Sequence, residues 1–249
     1  MDGLTLEGRT ALVTGGAGGL GSAISRQLAA LGARVVILDL NIEGAKSVAA
    51  DLEGALAFAV DLSDPGSIDV VIAEVKGAVG KIDVLVNNAG WDRVEPFLQS
   101  EASTWDRLIG INLRAPVHLT HAFLGDMVEQ QWGRLLYVSS DAARVGSTGE
   151  SVYSACKAGL IGFSKTMARE SARAQVTSNV VCPGPSDTPL LAEVAGDNPK
   201  LVESLKRAIP LGRLGQPDDV AGIVGFLTSE RAGYITGQTI SVSGGLTMI

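Results

Sequence analysis

Cysteine, histidine and positive charge are all in short supply in this 249-residue chain, and each shortage excludes a class of function. The only cysteines, Cys156 and Cys182, lie in apolar segments without metal-ligand spacing. That excludes a disulfide framework and predicts a reduced, cytoplasmic protein. The only histidines, His118 and His121, stand three apart with no third ligand in view, so no metal site is expected. Lys and Arg number 20 against 27 Asp and Glu, giving a net charge of −7 and a pI near 4.9. Such a balance argues against a nucleic-acid groove or docking on an anionic membrane. No apolar run approaches a membrane span, and the first eight residues carry neither a basic nor an apolar leader segment, so no signal peptide is expected. The 31 glycines follow no collagen-like or low-complexity period.

What is present is a hydrophobic content of 46%, enough for one sizeable core, with no linker-like stretch. One domain over 1–249 is expected. Apolar, β-branched runs at Thr10–Thr14, Arg34–Leu38, Ala55–Val60, Ile82–Val86, Arg134–Ser139, Thr177–Cys182 and Gln238–Val242 predict strands. Between them, Leu20–Leu31, Glu43–Leu52, Gly66–Val79, Thr104–Gln131, Ser151–Arg173 and Asp218–Thr228 have helical period. Asp64-Pro65 and Gln216-Pro217 look like helix starts. Strands without polar alternation, separated by helices, predict an α/β fold: a doubly wound, Rossmann-type parallel sheet of about seven strands, covered on both faces. Its ligand crevice should lie at the carboxyl ends of the strands. The stretch from Pro183 to Pro210 breaks the rhythm, and its apolar Leu190, Leu191 and Val194 predict a small substrate lid around 188–209.

Two motifs carry chemistry. Thr14-Gly-Gly-Ala-Gly-Gly-Leu-Gly21 follows the first predicted strand and opens the first helix. Glycines there let backbone approach a pyrophosphate at the helix N-terminus. Asp39 closes the second strand, where a carboxylate would accept hydrogen bonds from the adenosine ribose and repel a 2′-phosphate. No Arg or Lys lies in the loop, so NAD is expected over NADP; a helix-capping role before Asn41 is the alternative for Asp39. The second motif is Tyr153-Ser-Ala-Cys-Lys157, with Ser140 thirteen positions before the tyrosine. Residues four apart share a helix face, so the ammonium can meet the phenol and favour its ionised form. Of the three tyrosines, only Tyr153 is followed by lysine at this spacing.

Together with Asp61-Leu62, Asn87-Asn-Ala-Gly90, Asn112 and Pro183-Gly184 with Thr188, these motifs resemble the short, single-domain branch of the short-chain dehydrogenases/reductases over the whole chain. The resemblance implies that Tyr153 is the acid/base, that Ser140 hydrogen-bonds the substrate oxygen, and that Lys157 serves both the phenol and the nicotinamide ribose. It also implies that Asn112 bends its helix and keeps a water in line with Lys157. The cofactor would lie along Gly15, Gly18, Gly19, Leu20, Gly21, Asp39, Asp61, Leu62, Asn88, Ala89, Gly90, Tyr153, Lys157, Pro183, Gly184, Ser186 and Thr188. Ser243, where many members have aspartate, is a departure with an expected structural effect only. A homotetramer packed through the long helices is implied as well.

Beyond the shared core, Asn-Asn-Ala-Gly-Trp-Asp92, Ser-Asp-Ala-Ala-Arg-Val-Gly-Ser147 and Val-Cys-Pro-Gly-Pro-Ser-Asp-Thr188 resemble dehydrogenases of 2-hydroxycyclohexanecarboxyl-CoA, cyclic alcohols and 1-arylethanols such as 1-(4-hydroxyphenyl)ethanol. The expected activity is NAD-dependent oxidation of a ring-bearing secondary alcohol to its ketone, reversibly, in breakdown of ring compounds. Trp91, Ser140, Ala142, Arg144, Tyr153, Leu190 and Leu191 are the expected substrate contacts; Arg144 reads equally as a surface charge or as an anion anchor. Because the chain is acidic, the balance leans to the free alcohol over the CoA ester. A 3-oxoacyl-carrier-protein reductase is a rival, but Glu129-Gln130-Gln131 stand where such reductases often carry basic residues. A non-enzymatic cofactor sensor is another, opposed by the intact Tyr153 and Lys157.

Overall fold

In the computed structural model, the described residues are 3–189, 191, 192, 196 and 199–249. The strands are β1 (Thr10–Thr14), β2 (Arg34–Asp39), β3 (Leu56–Ala59), β4 (Val84–Asn87), β5 (Gly133–Val138), β6 (Val176–Pro183) and β7 (Thr239–Val242). They form one parallel sheet in the order β3-β2-β1-β4-β5-β6-β7. The helices are α1 (Gly19–Ala30), α2 (Ile42–Ala50), α3 (Pro65–Val79), α4 (Ala102–Ile109), α5 (Ala115–Glu129), α6 (Ala142–Val145), α7 (Ser151–Ser171), α8 (Pro199–Ala208) and α9 (Pro217–Thr228).

Strand side chains alternate between two separate cores. Leu12, Leu38, Leu85, Leu135 and Tyr137 pack with Phe123 of α5 and Leu160 of α7. Val13, Ile37, Val86 and Leu136 pack with Ile24 and Leu28 of α1 and Val224 of α9. Both strand faces are apolar because both are buried, which is why the strand sequences show no polar alternation. β1 sits between β2 and β4, so the order reverses there and opens a crevice beyond the carboxyl ends of β1 and β4. Asp64 and Asn41 cap α3 and α2, accepting hydrogen bonds from Gly66 N and Gly44 N.

Three predicted segments come out differently. Thr104–Gln131 is not one α-helix: a π-helical turn, Gly110–Arg114, separates α4 from α5. The Asn112 side chain takes the Leu108 carbonyl at 3.0 Å, and Pro116 has no N–H to return to the residue four before it. The Asp141–Val145 segment, for which no element was predicted, contains the short helix α6. The lid segment carries α8, whose Val202 and Leu205 are half-buried; Leu190 and Val194 lie outside the described residues.

Candidate active site

The glycine loop leaves β1 with Gly15 at φ +67, a backbone region open to glycine. A Cβ on Gly15 would stand 2.9 Å from the Ala89 Cα, and one on Gly21 would overlap the Gly15 carbonyl oxygen. The loop is therefore folded tightly under the N-terminus of α1, where Gly18 provides no side-chain cap. First-turn amides from Gly19, Leu20 and Gly21 thus begin the helix without a side-chain acceptor, a surface suited to a pyrophosphate. Asn88 locks this loop to β4: its Nδ2 donates to the Thr14 carbonyl at 2.9 Å and the Gly15 carbonyl at 3.3 Å. Thr14 Oγ1 accepts from Asn88 N and Ala89 N, both at 3.0 Å.

Asp39 sits at the end of β2, its carboxylate accepting from Ala17 N and Asn41 N, each at 2.9 Å. The capping alternative fails, since Asn41 itself caps α2. Asp39 instead ties the glycine loop to the end of β2. Asp61 accepts from Ser63 N at 2.8 Å and Ser63 Oγ at 2.6 Å, and those bonds hold its carboxyl below the usual range. Leu62 beside it is buried. After β6, Gly184 packs so closely on Ser243 that a Cβ would lie 2.8 Å from the serine Cβ. Ser243 Oγ also accepts from Thr247 N at 3.2 Å. Ser186 Oγ donates to the Gly184 carbonyl at 2.9 Å, and Thr188 Oγ1 donates to the Ser186 carbonyl at 3.3 Å. The Thr188 methyl would meet a Cβ on Gly19 at 3.2 Å, so this segment closes over the glycine loop. These residues fit a dinucleotide: a cradle without side chains, unfilled helix amides and a carboxylate at the ribose end.

The candidate catalytic residues Ser140, Tyr153, Lys157 and Asn112 come from the end of β5, α7 and the π-helical turn. Ser140 follows β5, and Tyr153 and Lys157 are carried one turn apart on α7. The Ser140 hydroxyl stands beside the Tyr153 phenol and favours its ionised form. Ser140 Oγ also accepts from Ala142 N at 3.1 Å, which fixes the serine at the start of α6. Lys157 is 2% exposed; its Nζ donates to the Val138 carbonyl at 2.8 Å and lies 5.7 Å from the Tyr153 ring centroid. Burial pulls the ammonium down to about 8, against opposing effects of Cys156, Cys182 and Asp92. Asn112 is fully buried and holds Trp91 by both backbone groups, accepting from its N at 3.2 Å and donating to its carbonyl at 2.7 Å. Gly90 lies between Asn112 and Lys157; a Cβ there would stand 3.1 Å from Asn112 Oδ1 and 3.2 Å from Lys157 Nζ.

Two expectations need restating. The lysine was expected to lower the Tyr153 phenol, but in the protein alone the phenol is pushed well above its ordinary value. Burial is the main cause, followed by the charges of Asp92 and Glu150, and only the Ser140 hydrogen bond opposes them. Arg144 was read as a surface charge or an anion anchor; its Nη1 donates to Ser241 Oγ at 2.8 Å, and that hydroxyl donates to Asp141. Trp91 is half-buried under the Arg107 guanidinium at 4.2 Å, Ala142 is half-buried in α6, and Leu191 is half-buried with its N–H donating to Thr188 Oγ1 at 3.3 Å. Leu190 lies outside the described residues.

Sequence reasoning passed over Asp92 and Glu150, whose charges oppose ionisation of the Tyr153 phenol. Glu150 could have been found from its place three residues before the tyrosine, on the same helical face. Among the described residues no group of three or more His, Cys, Asp or Glu could hold a metal ion. His118 Nε2 lies 2.9 Å from Asp69 Oδ1. Among those residues no helix is long and apolar enough to cross a membrane.

Known proteins share this arrangement. A family model described as enoyl-(acyl carrier protein) reductase matches residues 15–247. The 3-oxoacyl-[acyl-carrier-protein] reductase FabG of Aquifex aeolicus is 39% identical over 248 residues, 98% of this chain and 99% of the relative. That of Escherichia coli is 37% identical over 248 residues, 99% of this chain and all of the relative. Nodulation protein G of Azospirillum brasilense is 38% identical over 244 residues, 96% of this chain and 98% of that protein. A crystal structure from Sinorhizobium meliloti 1021, assigned as a short-chain alcohol dehydrogenase, superposes with a TM-score of 0.92 at 31% identity and covers 98% of both chains. With the parallel sheet, the glycine loop and the Ser140–Tyr153–Lys157 cluster, this whole-length likeness makes the chain a member of the short-chain dehydrogenase/reductase family.

Proposed function

We propose that this oxidoreductase interconverts a secondary alcohol and a ketone with NAD(H), and that its substrate is a ring-bearing hydroxyacyl thioester of the 2-hydroxycyclohexanecarboxyl-CoA type. The convergence of Ser140, Tyr153 and Lys157 at the carboxyl ends of the strands carries the reading. In reduction, Ser140 and Tyr153 hydrogen-bond the carbonyl oxygen, and Tyr153 delivers its proton to the alkoxide as that charge develops. In oxidation the same oxygen returns the proton to the phenolate. Lys157, held at the Val138 carbonyl, orients the site and favours the phenolate whenever it is charged. Asn112 keeps Gly90 and Trp91 in place around it. A bound nicotinamide supplies or accepts the hydride. Asp39, fixed by two backbone N–H groups, supports NAD over NADP, and no basic residue lies in the loop from Thr14 to Gly21.

Two likenesses support the thioester: the relatives named for 3-oxoacyl groups, and the segments similar to a 2-hydroxycyclohexanecarboxyl-CoA dehydrogenase. Both place the reacting oxygen β to a thioester carbonyl. Coenzyme A is favoured over an acyl carrier protein because Glu129, paired with Lys81 at 3.0 Å, and the neutral Gln130 and Gln131 offer no cationic dock before β5. Lys200 and Arg207 of α8 are exposed in the lid segment and suit the CoA phosphates. A free ring alcohol, such as a 1-arylethanol or a cyclic alcohol, remains the second reading: the chain is acidic, and Arg144 is engaged with Ser241 rather than turned to an anion.

NADH formation with 2-hydroxycyclohexanecarboxyl-CoA, 1-phenylethanol and cyclohexanol tests the substrate. The thioester should give the highest kcat/KM; a higher value for either free alcohol would replace the first reading with the second. NAD should exceed NADP by roughly two orders of magnitude in kcat/KM, a few kcal/mol of discrimination. Asp39→Ala should narrow that preference without reversing it. Equal use of both cofactors by the wild type would show that Asp39 does not face the ribose.

A further inference from the structure

Two adjacent serines follow β5, and their hydrogens are committed differently. Ser139 Oγ donates to the Lys157 carbonyl at 2.8 Å and has no hydrogen left to offer. Ser140 Oγ instead accepts from Ala142 N at 3.1 Å, and the Ser140 carbonyl accepts from Ala143 N at 3.1 Å. A hydroxyl that accepts from a fixed N–H keeps its own hydrogen, which is the donor a substrate oxygen needs. The aim of that donor therefore depends on α6, and α6 has only four residues, Ala142–Val145. So short a helix does not hold itself, because its first turn fixes several residues for a single hydrogen bond. Something outside it must keep it in place.

Asp141 and Arg144 stand three apart in this segment, and both reach Ser241 of the edge strand β7. Ser241 Oγ donates to Asp141 Oδ1 at 2.5 Å and accepts from Arg144 Nη1 at 2.8 Å. Asp141 is 6% exposed, and its N donates to the Pro183 carbonyl at 3.1 Å. Its Oδ2 is buried with no hydrogen-bond partner among the described residues. One serine hydroxyl thus satisfies a buried carboxylate and links it to the arginine that balances its charge. Without that bond the carboxylate would have to move or take up a proton. We propose that Asp141, Ser241 and Arg144 are positioning residues: a relay that fastens α6 to β7 and so aims the Ser140 hydroxyl at the reacting oxygen. The inference rests on the role given to Ser140 above and adds what holds that serine in place. Ser241 also lines a groove of about 500 Å³ with Leu211 and Ser243, which leaves room for one more methyl group at position 241.

Three variants of the full-length protein test this. Ser241→Ala removes the hydroxyl, and Ser241→Thr keeps it with a methyl group that the groove admits. Asp141→Ala breaks the same bond from its other end and leaves no charge to bury, which guards against a Ser241→Ala protein that fails to fold. With NAD and whichever of 2-hydroxycyclohexanecarboxyl-CoA, 1-phenylethanol and cyclohexanol is used fastest, kcat should fall roughly 10- to 100-fold in both alanine variants. NAD affinity measured by calorimetry should stay at the wild-type value, and Ser241→Thr should bring kcat back towards wild type. Each alanine variant is then combined with Ser140→Ala. A relay that acts through Ser140 has nothing left to position there, so the second alanine should cost less than about twofold. Losses that multiply would overturn the proposal, as would wild-type kcat in both alanine variants. Wild-type turnover by Ser140→Ala alone would instead remove the role of Ser140, and this inference with it. Crystals of Ser241→Ala and Asp141→Ala with bound NAD give a readout that needs no substrate. Ser140 Oγ should lose its bond from Ala142 N in them, and an unmoved Ser140 would sink the relay. Absence of turnover on every alcohol tried, with Ser140 displaced in those crystals, would count against the proposed reaction and leave the relay standing.

Discussion

At the residue scale the site is a set of costs accepted for chemistry. Lys157 is buried as an ammonium that donates to a neutral carbonyl, so its charged form is penalised in the fold. Its value falls to about 8 in the folded chain, below the roughly 10.4 of an unfolded lysine. The unfolded state therefore binds more protons between those values, and the lysine's contribution to stability rises with pH across that window. Lys157→Met should melt above the wild type at pH 7, by an amount that shrinks as pH rises from about 8 to about 10, while abolishing most turnover. Thermal denaturation across that pH series checks the sign. Tyr153→Phe removes one buried hydroxyl and keeps the ring. Turnover should fall by roughly 10²- to 10⁴-fold, the usual contribution of a general acid/base, with NAD affinity retained in a fluorescence titration.

Elements decide whether those residues meet. α1 can press on the loop beneath it because Gly21 has no Cβ to strike the Gly15 carbonyl oxygen. Gly21→Ala must push helix and loop apart, so NAD affinity should drop at least about tenfold and the melting temperature should fall by several degrees. Calorimetry of NAD binding, with a thermal melt of the same sample, measures both. The π turn at Gly110–Arg114 plays a comparable part on the other side. Its position was legible only in outline. Asn112 was implied to bend the helix, but apolar period alone ran through it from Thr104 to Gln131. Periodicity reports which residues are buried, not which carbonyl an amide side chain captures.

Over the whole molecule, the family's association through long helices predicts a homotetramer of this 25.7 kDa chain. Val117 and Val128 of α5 lie eleven residues apart, three turns, and are 37% and 39% exposed. Apolar residues aligned on one exposed helix face suit a contact between copies. Sedimentation should give a mass near four chains, and joint Val117→Glu and Val128→Glu substitution should lower it to dimers.

The fold was readable because its cause is local and repeated. Continuous apolar strands separated by amphipathic helices have one economical arrangement, a parallel sheet covered on both sides, and the sheet order places every loop of the site at one edge. Glycine loop, Asp39, Ser140, Tyr153 and Lys157 were legible for a related reason: their chemistry depends on residue type and on spacing along single elements. The roles of Arg144 and Asp92 were not. Arg144 meets Ser241 across 97 positions of sequence, and Asp92 acts on the Tyr153 phenol from another element, so neither leaves a trace in any local pattern. The direction in which Tyr153 is shifted belongs to the same class. Four-residue spacing puts a cation one turn away, but desolvation and the charges of Asp92 and Glu150 act through space, and only the folded chain brings their sum to bear on the phenol.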